Sequence, residues 1–257
     1  MGRIVFVSVV RDYAFYDRFF TNNPAVNRYV LNPIDNRSEN LHITTRYNRF
    51  LDSYDFGKDA WFVFCHEDLE MKEDPALILE KLDKGALYGL AGRRLEYRKG
   101  WFGRPRVKSI GVGSLIHSDK NGDFAAVQGE PLPEPLKVDT VDCACLMVHS
   151  SLIEKTGLRF DESLSFDLYT EDFCIQAVRN FNIPTYAVDI RSQHWSKGSF
   201  SERFYKQLIR MNKKYKDGTY MATCAVIGKQ LQPFKAWKRM TFLRLWLFFK
   251  NLFGIKR

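Results

Sequence analysis

The five apolar residues Trp61-Phe62-Val63-Phe64-Cys65 run straight into His66-Glu67-Asp68, three side chains able to bind a metal or a proton. Bounded by Lys58-Asp59 before it and by acidic residues after it, the run reads as a strand buried on both faces. In open α/β sheets, ligands collect beyond the carboxyl ends of such strands. Residues 67–74 also fit a plainer role, as the solvated start of a helix running through Ile78 and Leu82, with Asp68 or Asp74 as its cap.

The chain on either side sets this strand in a repeating pattern. Residues 4–10 are a short, β-branched apolar run of the kind found in central parallel strands. An aromatic-rich segment with helical spacing follows over 13–20. Tyr29-Val30-Leu31 then leads into Asn32-Pro33-Ile34-Asp35-Asn36, a strand closed by turn residues. Residues 41–54 place Leu41 and Leu51 on one helical face. Strand, helix, strand, helix, strand predicts a parallel sheet with right-handed crossovers.

Farther along, helices are expected over 75–82, over 150–156 with Gly157 as stop signal, over 173–180 and over 202–215. Strands are expected over 86–91, 138–149 and 185–190. On the strand 138–149, Cys143 and Cys145 are two apart and should share a face. Between Gly92 and Leu136 the alternation fails and Gly and Pro become frequent. That stretch reads as a long irregular insertion holding one hairpin, 109–117 with 124–128. Insertions of that length in a compact domain are usually functional.

Charge narrows the function classes. The sequence has 39 basic and 30 acidic residues, but eight of the basic ones lie in 229–257 with no acid among them. The preceding residues therefore carry 31 basic against 30 acidic. A nearly neutral body argues against a nucleic-acid partner, which requires a distributed basic surface. The five cysteines are odd in number and sit mostly in apolar runs, which favours reduced, buried thiols over a disulfide framework. Cys143 and Cys145 have no second pair to complete a zinc site. Met1-Gly2-Arg3 leads directly into a strand without a signal-peptide layout, so a cytoplasmic location is expected.

Three places gather polar groups at the ends of apolar segments: His66-Glu67-Asp68, Glu171-Asp172 and His194, with the turn Asp35-Asn36 ahead of them. Together with 4–10, Tyr47-Asn48-Arg49, 141–148, 157–162, 169–177 and 194–198, their order resembles family 2-type glycosyltransferases of the GT-A fold. The likeness is to the bacterial branch whose acidic motif reads His-x-Asp, and it covers roughly residues 1–200. It implies a Rossmann-type, mostly parallel sheet flanked by helices, with residues 201–257 as a helical, basic and aromatic appendage.

The resemblance also implies chemistry. A nucleotide sugar, UDP- or dTDP-linked, would lose a diphosphate whose growing charge a divalent cation, Mn²⁺ or Mg²⁺, can neutralise. Asp68 matches the metal-binding aspartate and His194 the late histidine that reaches metal or diphosphate. His66 stands where many members have an aspartate; as a ligand it would favour Mn²⁺, and otherwise it would hydrogen-bond the donor. Asp35, Ser8, Asn48 and Lys197 would contact the donor. Asp172, with Glu171 beside it, matches the base that takes the acceptor's proton, and Asp167 is a third candidate. A single displacement would invert the anomeric carbon. Trp101 and Arg104, with Arg93, Arg94, Tyr97, Arg98 and Phe102 in the same insertion, are candidate acceptor contacts, because aromatic and basic side chains stack on sugars and pair with phosphates; the same residues also fit a loop packed on itself.

Residues 234–253 carry Trp237, Trp246 and several phenylalanines and leucines, interrupted by Arg244 and Lys250. A bilayer span needs about 20 mostly apolar residues, and this run is shorter and charged. It fits an interfacial segment on an anionic membrane surface through 234–257, at the inner face of the cell membrane. The same segment also fits a helix packed on the domain. The function expected is transfer of a sugar to a glycan or lipid-linked acceptor in polysaccharide biosynthesis. The alternatives are a nucleotidyltransferase of similar fold and a non-enzymatic membrane- or nucleic-acid-binding module.

Overall fold

A computed structural model describes residues 2–99, 105–119, 121–196, 200–215 and 233–253. Its centre is the strand on which the sequence is organised, β3 (Ala60–Cys65), with all six residues buried. On one side β3 pairs in parallel with β1 (Arg3–Val10), which pairs in parallel with the edge strand β2 (Val30–Asp35). Pro33 is tolerated in β2 because an edge strand has a free side that needs no donor.

Helix α1 (Tyr13–Tyr16), capped by Asp12, continues as a π-helical turn, Asp17–Thr21, and α2 (Ile43–Ser53) connects β2 to β3. The predicted strand–helix–strand–helix–strand order is therefore present. Alternate residues of β1 and β3 supply two cores. Val5, Val7, Phe62 and Phe64 pack with Tyr47, Phe160 and Phe173 on one face, and Ile4, Phe6, Trp61 and Val63 pack with Phe19 and Phe20 on the other. Truncating a buried ring such as Phe62 to Ala would cost about 3–5 kcal/mol.

Beyond β3 the chain departs from simple alternation. His66-Glu67-Asp68 does not open a helix; it turns into the short strand β4 (Leu69–Met71), and the helix after it, α3 (Ala76–Leu79), is a single turn. Strand β5 (Leu87–Gly89) continues the first sheet, and one residue later β6 (Ala91–Lys99) starts a second.

The stretch read as irregular is largely strand: β6, β7 (Pro105–Ser118) and β8 (Phe124–Glu130) form antiparallel pairs, with β7–β8 as the expected hairpin. Two of its glycines allow close backbone approach. A Cβ on Gly113 (φ 93) would collide with the Leu90 carbonyl, and one on Gly129 (φ 81) with the Gly113 carbonyl.

The expected strand 138–149 is three short ones, β9 (Leu136–Val138), β10 (Thr140–Val141) and β11 (Cys145–His149). The break at 142–144 puts Cys143 in one core and Cys145 in the other, so they do not share a face. Helix α4 (Ser150–Thr156) ends at Gly157 in the left-handed conformation, as its sequence predicts. Helix α5 (Tyr169–Phe181) starts four residues earlier than expected, and β12 (Thr185–Ala187) and β13 (Ser192–His194) follow.

The first sheet runs β2-β1-β3-β11-β5-β12-β9, mixing parallel and antiparallel pairs, and the second runs β10-β6-β7-β13-β4. This mixed α/β architecture with flanking helices is consistent with a GT-A-like fold. The boundary expected near residue 200 falls inside the packed body. Helix α6 (Glu202–Lys214) buries Phe204, Leu208 and Met211 in the same core as Phe62. Helix α7 (Pro233–Leu252) adds Ala236 and Met240 to that core and exposes most of its aromatic residues.

Candidate functional site

His66 and Asp68 leave the carboxyl end of β3, and His194 ends β13, which pairs antiparallel with β4 so that His194 faces Leu69 in register. The second sheet thus folds back over the first and brings residues 126 positions apart into contact. His194 Nε2 lies 3.1 Å from Asp68 Oδ1 and 3.4 Å from His66 Nδ1. One ligand atom from each of the three residues falls within 4.8 Å of the others.

The hydrogen bonds around His66 fix its tautomer. The Tyr169 hydroxyl donates to the Cys143 carbonyl at 2.8 Å, which uses its only proton. His66 Nε2, 3.2 Å from the same hydroxyl oxygen, must therefore be the donor in that contact, which leaves Nδ1 with its lone pair toward His194 and Asp68. Burial, and then the nearby His194, lower the His66 pKa to about 4, so the ring is neutral at neutral pH. Burial would also lower His194, but the hydrogen bond and charge of Asp68 outweigh it and raise its pKa. For Asp68, burial acts upward and the His194 hydrogen bond downward, and the net result is about 2. His194 Nδ1 is buried with no hydrogen-bond partner among the described residues.

A neutral imidazole with a free lone pair, an ionised carboxylate and a second imidazole form a donor set that fits a borderline divalent ion such as Mn²⁺ better than Mg²⁺. The three residues line a cavity of about 910 Å³ between the strand ends of the first sheet and the second sheet. One wall comes from the strand ends and the loop after β2, with Arg11, Asn36 and Asn40. The opposite wall comes from β7 and β8, with His117 and Gln128 in contact at 3.2 Å. A third side carries Phe166, Asp167 and Arg203, where the Phe166 ring stacks on His66 and the Arg203 guanidinium lies over Phe166.

Several residues expected at the site sit elsewhere. Asp172 and Glu171 do not line the cavity. Because α5 begins at Tyr169, both fall in its inward-facing first turn and are fully buried. Asp172 accepts from Tyr215 at 2.7 Å and from Gln176 at 2.6 Å, and pairs with Lys214 at 2.7 Å.

Ser8 is buried in β1 with its hydroxyl 3.3 Å from the Cys65 sulfur, and its neighbour Val9 reaches the cavity instead. Asn48 is taken up by the backbone of Phe160, on both its amide and its carbonyl, and ties α2 to that loop. Asp35 is exposed and paired with Arg37 at 2.6 Å, while the next residue, Asn36, lines the cavity. Glu67 accepts the backbone amides of Arg11 at 2.6 Å and Asp12 at 2.9 Å, which fixes the loop leaving β1. Lys197, Trp101 and Arg104 lie outside the described residues.

Asp167 does line the cavity. Its backbone stands just before Leu168, a buried residue held at φ 64, where a bulky side chain is strained. That kink turns Asp167 out of α5 and separates it from Asp172. Asp167 Oδ2 accepts from Arg203 Nε at 2.7 Å and Oδ1 has no donor among the described residues.

Sequence reasoning missed His117 and Asp142, and it set Arg93 only among the basic residues of the insertion that could grip an acceptor. Arg93 and His117 lie on strands of the stretch read as irregular, and Asp142 lies at a break inside what looked like one continuous strand.

No family model matches the sequence, and no curated protein matches it either. Among solved structures, A197 from STIV is similar at 15% identity and a TM-score of 0.42, over 76% of this chain and 85% of that one. S. aureus TarS 1-349 in complex with UDP is similar at 12% identity and a TM-score of 0.45, over 83% of this chain. The chain spans 65% of TarS 1-349 and 39% of the longer TarS structure. Superposition at this level is partial and says nothing about chemistry.

Proposed function

We propose that this chain is a glycosyltransferase that moves a sugar from a UDP- or dTDP-linked donor to a glycan or lipid-linked acceptor. The observation that carries this reading is the His66–Asp68–His194 cluster at strand ends, set in the wall of a cavity large enough for a nucleotide sugar. A divalent cation there would supply a positive charge against the departing diphosphate. His66, Asp68 and His194 would hold it, with Tyr169 fixing the His66 tautomer.

The chain's own groups account for the rest. Arg11 and the side-chain amides of Asn36 and Asn40 offer donors for phosphate and ribose oxygens along one wall. Asp167 is the carboxylate on the cavity best suited to take the acceptor's proton during attack. Its Arg203 partner orients it, and Oδ1 has no donor among the described residues. A base attacking opposite a departing diphosphate implies single displacement with inversion.

The exposed face of α7 carries Trp237, Phe242, Trp246, Phe249 and Phe253 among cationic residues. Among the described residues, no helix is long and apolar enough to cross a membrane. An aromatic and basic helix of this kind suits peripheral attachment to an anionic bilayer, where a lipid-linked acceptor would be found.

The reading is tested with a panel of UDP- and dTDP-sugars, each with Mn²⁺, followed by thermal stabilisation and slow donor hydrolysis. Binding by at least one member, lost on chelation and lost in Asp68→Ala, is expected. A panel without any binder, or Asp68→Ala with unchanged Mn²⁺ affinity, sinks it.

A further inference from the structure

Asp142 sits in the break between β10 and β11, and its position is tightly set. Its amide donates to the Ala91 carbonyl at 2.9 Å, and its Oδ1 accepts the Ala144 amide at 2.9 Å. The other oxygen, Oδ2, is buried without a partner among the described residues, and the residue, 3% exposed, lines the cavity. Arg93 lies on β6, two positions beyond Ala91, and also lines the cavity. Its Nε is likewise buried and has no partner among the described residues. No ion pair or hydrogen bond joins the two side chains.

A buried carboxylate oxygen or guanidinium N–H left unsatisfied costs about 1–3 kcal/mol, and more where charge is involved. Both residues line the cavity, and a ligand held against this wall can satisfy both atoms. An acceptor beside a donor excludes a phosphate, which Asp142 would repel, and an apolar group, which would leave both unpaired. A hydroxyl both donates and accepts, and neighbouring hydroxyls on a ring can engage the two side chains together.

We propose that Asp142 and Arg93 form the subsite that binds hydroxyl groups of the transferred sugar. Asp142 Oδ2 accepts from one hydroxyl and Arg93 Nε donates to its neighbour. The inference rests on the glycosyltransferase reading and names the part of the donor that this wall grips. It assigns the donor's sugar, and not the acceptor's, because Asp142 adjoins the metal-ligand cluster: its Oδ1 holds the amide of Ala144, whose carbonyl accepts the His66 amide at 3.1 Å. The ring that lies next to the diphosphate's site is the one bonded to the diphosphate.

The experiment compares the binding of UDP, dTDP and their glucose, galactose and N-acetylglucosamine conjugates, with Mn²⁺, to the full chain and to Asp142→Asn and Arg93→Gln. Nucleoside diphosphate affinity should stay within twofold, while the affinity for the preferred nucleotide sugar falls roughly 10–100-fold. A monodeoxy series of the preferred donor, tested on the unaltered protein, needs no variant to fold. One member should lose about as much affinity as Asp142→Asn, and should lose little more when combined with it.

If UDP and dTDP both fail to bind the unaltered protein, the glycosyltransferase reading fails and the subsite with it. If they bind but Asp142→Asn weakens the nucleotide and the nucleotide sugar equally, or weakens neither, the subsite alone is wrong.

Discussion

Asp68 and Asp172 look alike in the sequence, since each follows a glutamate near the end of a largely apolar run. In the structure they differ in how completely the protein fills their lone pairs. Asp172 is fully buried and takes Tyr215, Lys214 and Gln176. Among the described residues Asp68 has one side-chain donor, His194, which is itself a candidate ligand, and a quarter of its side chain is exposed. A carboxylate saturated by its own chain fastens elements together, here α5 to α6. One left open beside a cavity is free to hold something else.

The comparison breaks or sharpens first on activity. Once a donor and acceptor are found, Asp167→Asn should lower transfer by on the order of 10²–10⁴-fold with donor binding nearly intact. Asp172→Asn should leave turnover per folded molecule within a few-fold. If Asp172→Asn abolishes transfer in a protein of normal stability while Asp167→Asn does not, the saturated carboxylate is the base and the contrast collapses.

Stability is the second readout. Asp172→Ala removes the buried acceptor of the Tyr215 hydroxyl and of Gln176, together with one of the two carboxylates paired with the exposed Lys214, and losing buried hydrogen bonds of this kind costs about 1–3 kcal/mol. Urea unfolding should register that loss, whereas Asp68→Ala should cost much less. Equal losses would show that Asp68 is as structural as Asp172.

These residues also show where the sequence was legible. Strands β1, β2, β3 and the helix α2 were readable because a doubly buried parallel strand needs a continuous apolar run and an amphipathic helix needs its own period. Of the second sheet only the β7–β8 hairpin was, because the other strands are rich in Gly, Arg and polar residues, and pairing across the chain, not local pattern, makes them strands. His66, Asp68 and His194 were legible as chemistry at strand ends. Asp172 was expected beside the cavity with the helix starting at Phe173; α5 starts at Tyr169, after Leu168 at φ 64, which no composition signal announces. Asp142 and Arg93 were hidden because an unfilled lone pair is a property of the packed structure.

A smaller effect separates the two carboxylates by pH. Burial lowers the Lys214 pKa, but hydrogen bonds to Asp161 and Asp172 raise it more, so the net shift is upward from 10.5. Burial, and then Asp172, raise Tyr215 above its usual 10.0. For both groups the folded state holds its proton longer than the unfolded chain. Their contribution is complete below the unfolded values and is lost as pH rises through the folded ones. Unfolding measured from neutral to strongly alkaline pH should show a gap between the unaltered protein and Lys214→Met that narrows only above about pH 10. A gap that closes on the acid side instead would place the stabilising charge elsewhere.

The smallest effect expected is at Asp35, the aspartate that the family resemblance places on the nucleotide. Its carboxylate is exposed and held by both the backbone and the guanidinium of Arg37, which pull its pKa down to about 2. An exposed pair of this kind contributes little to stability, since water and salt screen it. The neighbouring Asn36 is different. Its Oδ1 accepts from Leu41 N and Arg46 Nε, so it lines the cavity as a fixed element of the wall. Asp35→Ala should therefore leave both the melting temperature and the nucleoside diphosphate affinity unchanged within error, while Asn36→Ala weakens nucleotide binding several-fold. A large loss at Asp35 with none at Asn36 would mean that the end of β2 turns toward the ligand when it binds, and that an exposed carboxylate also belongs among the open ones.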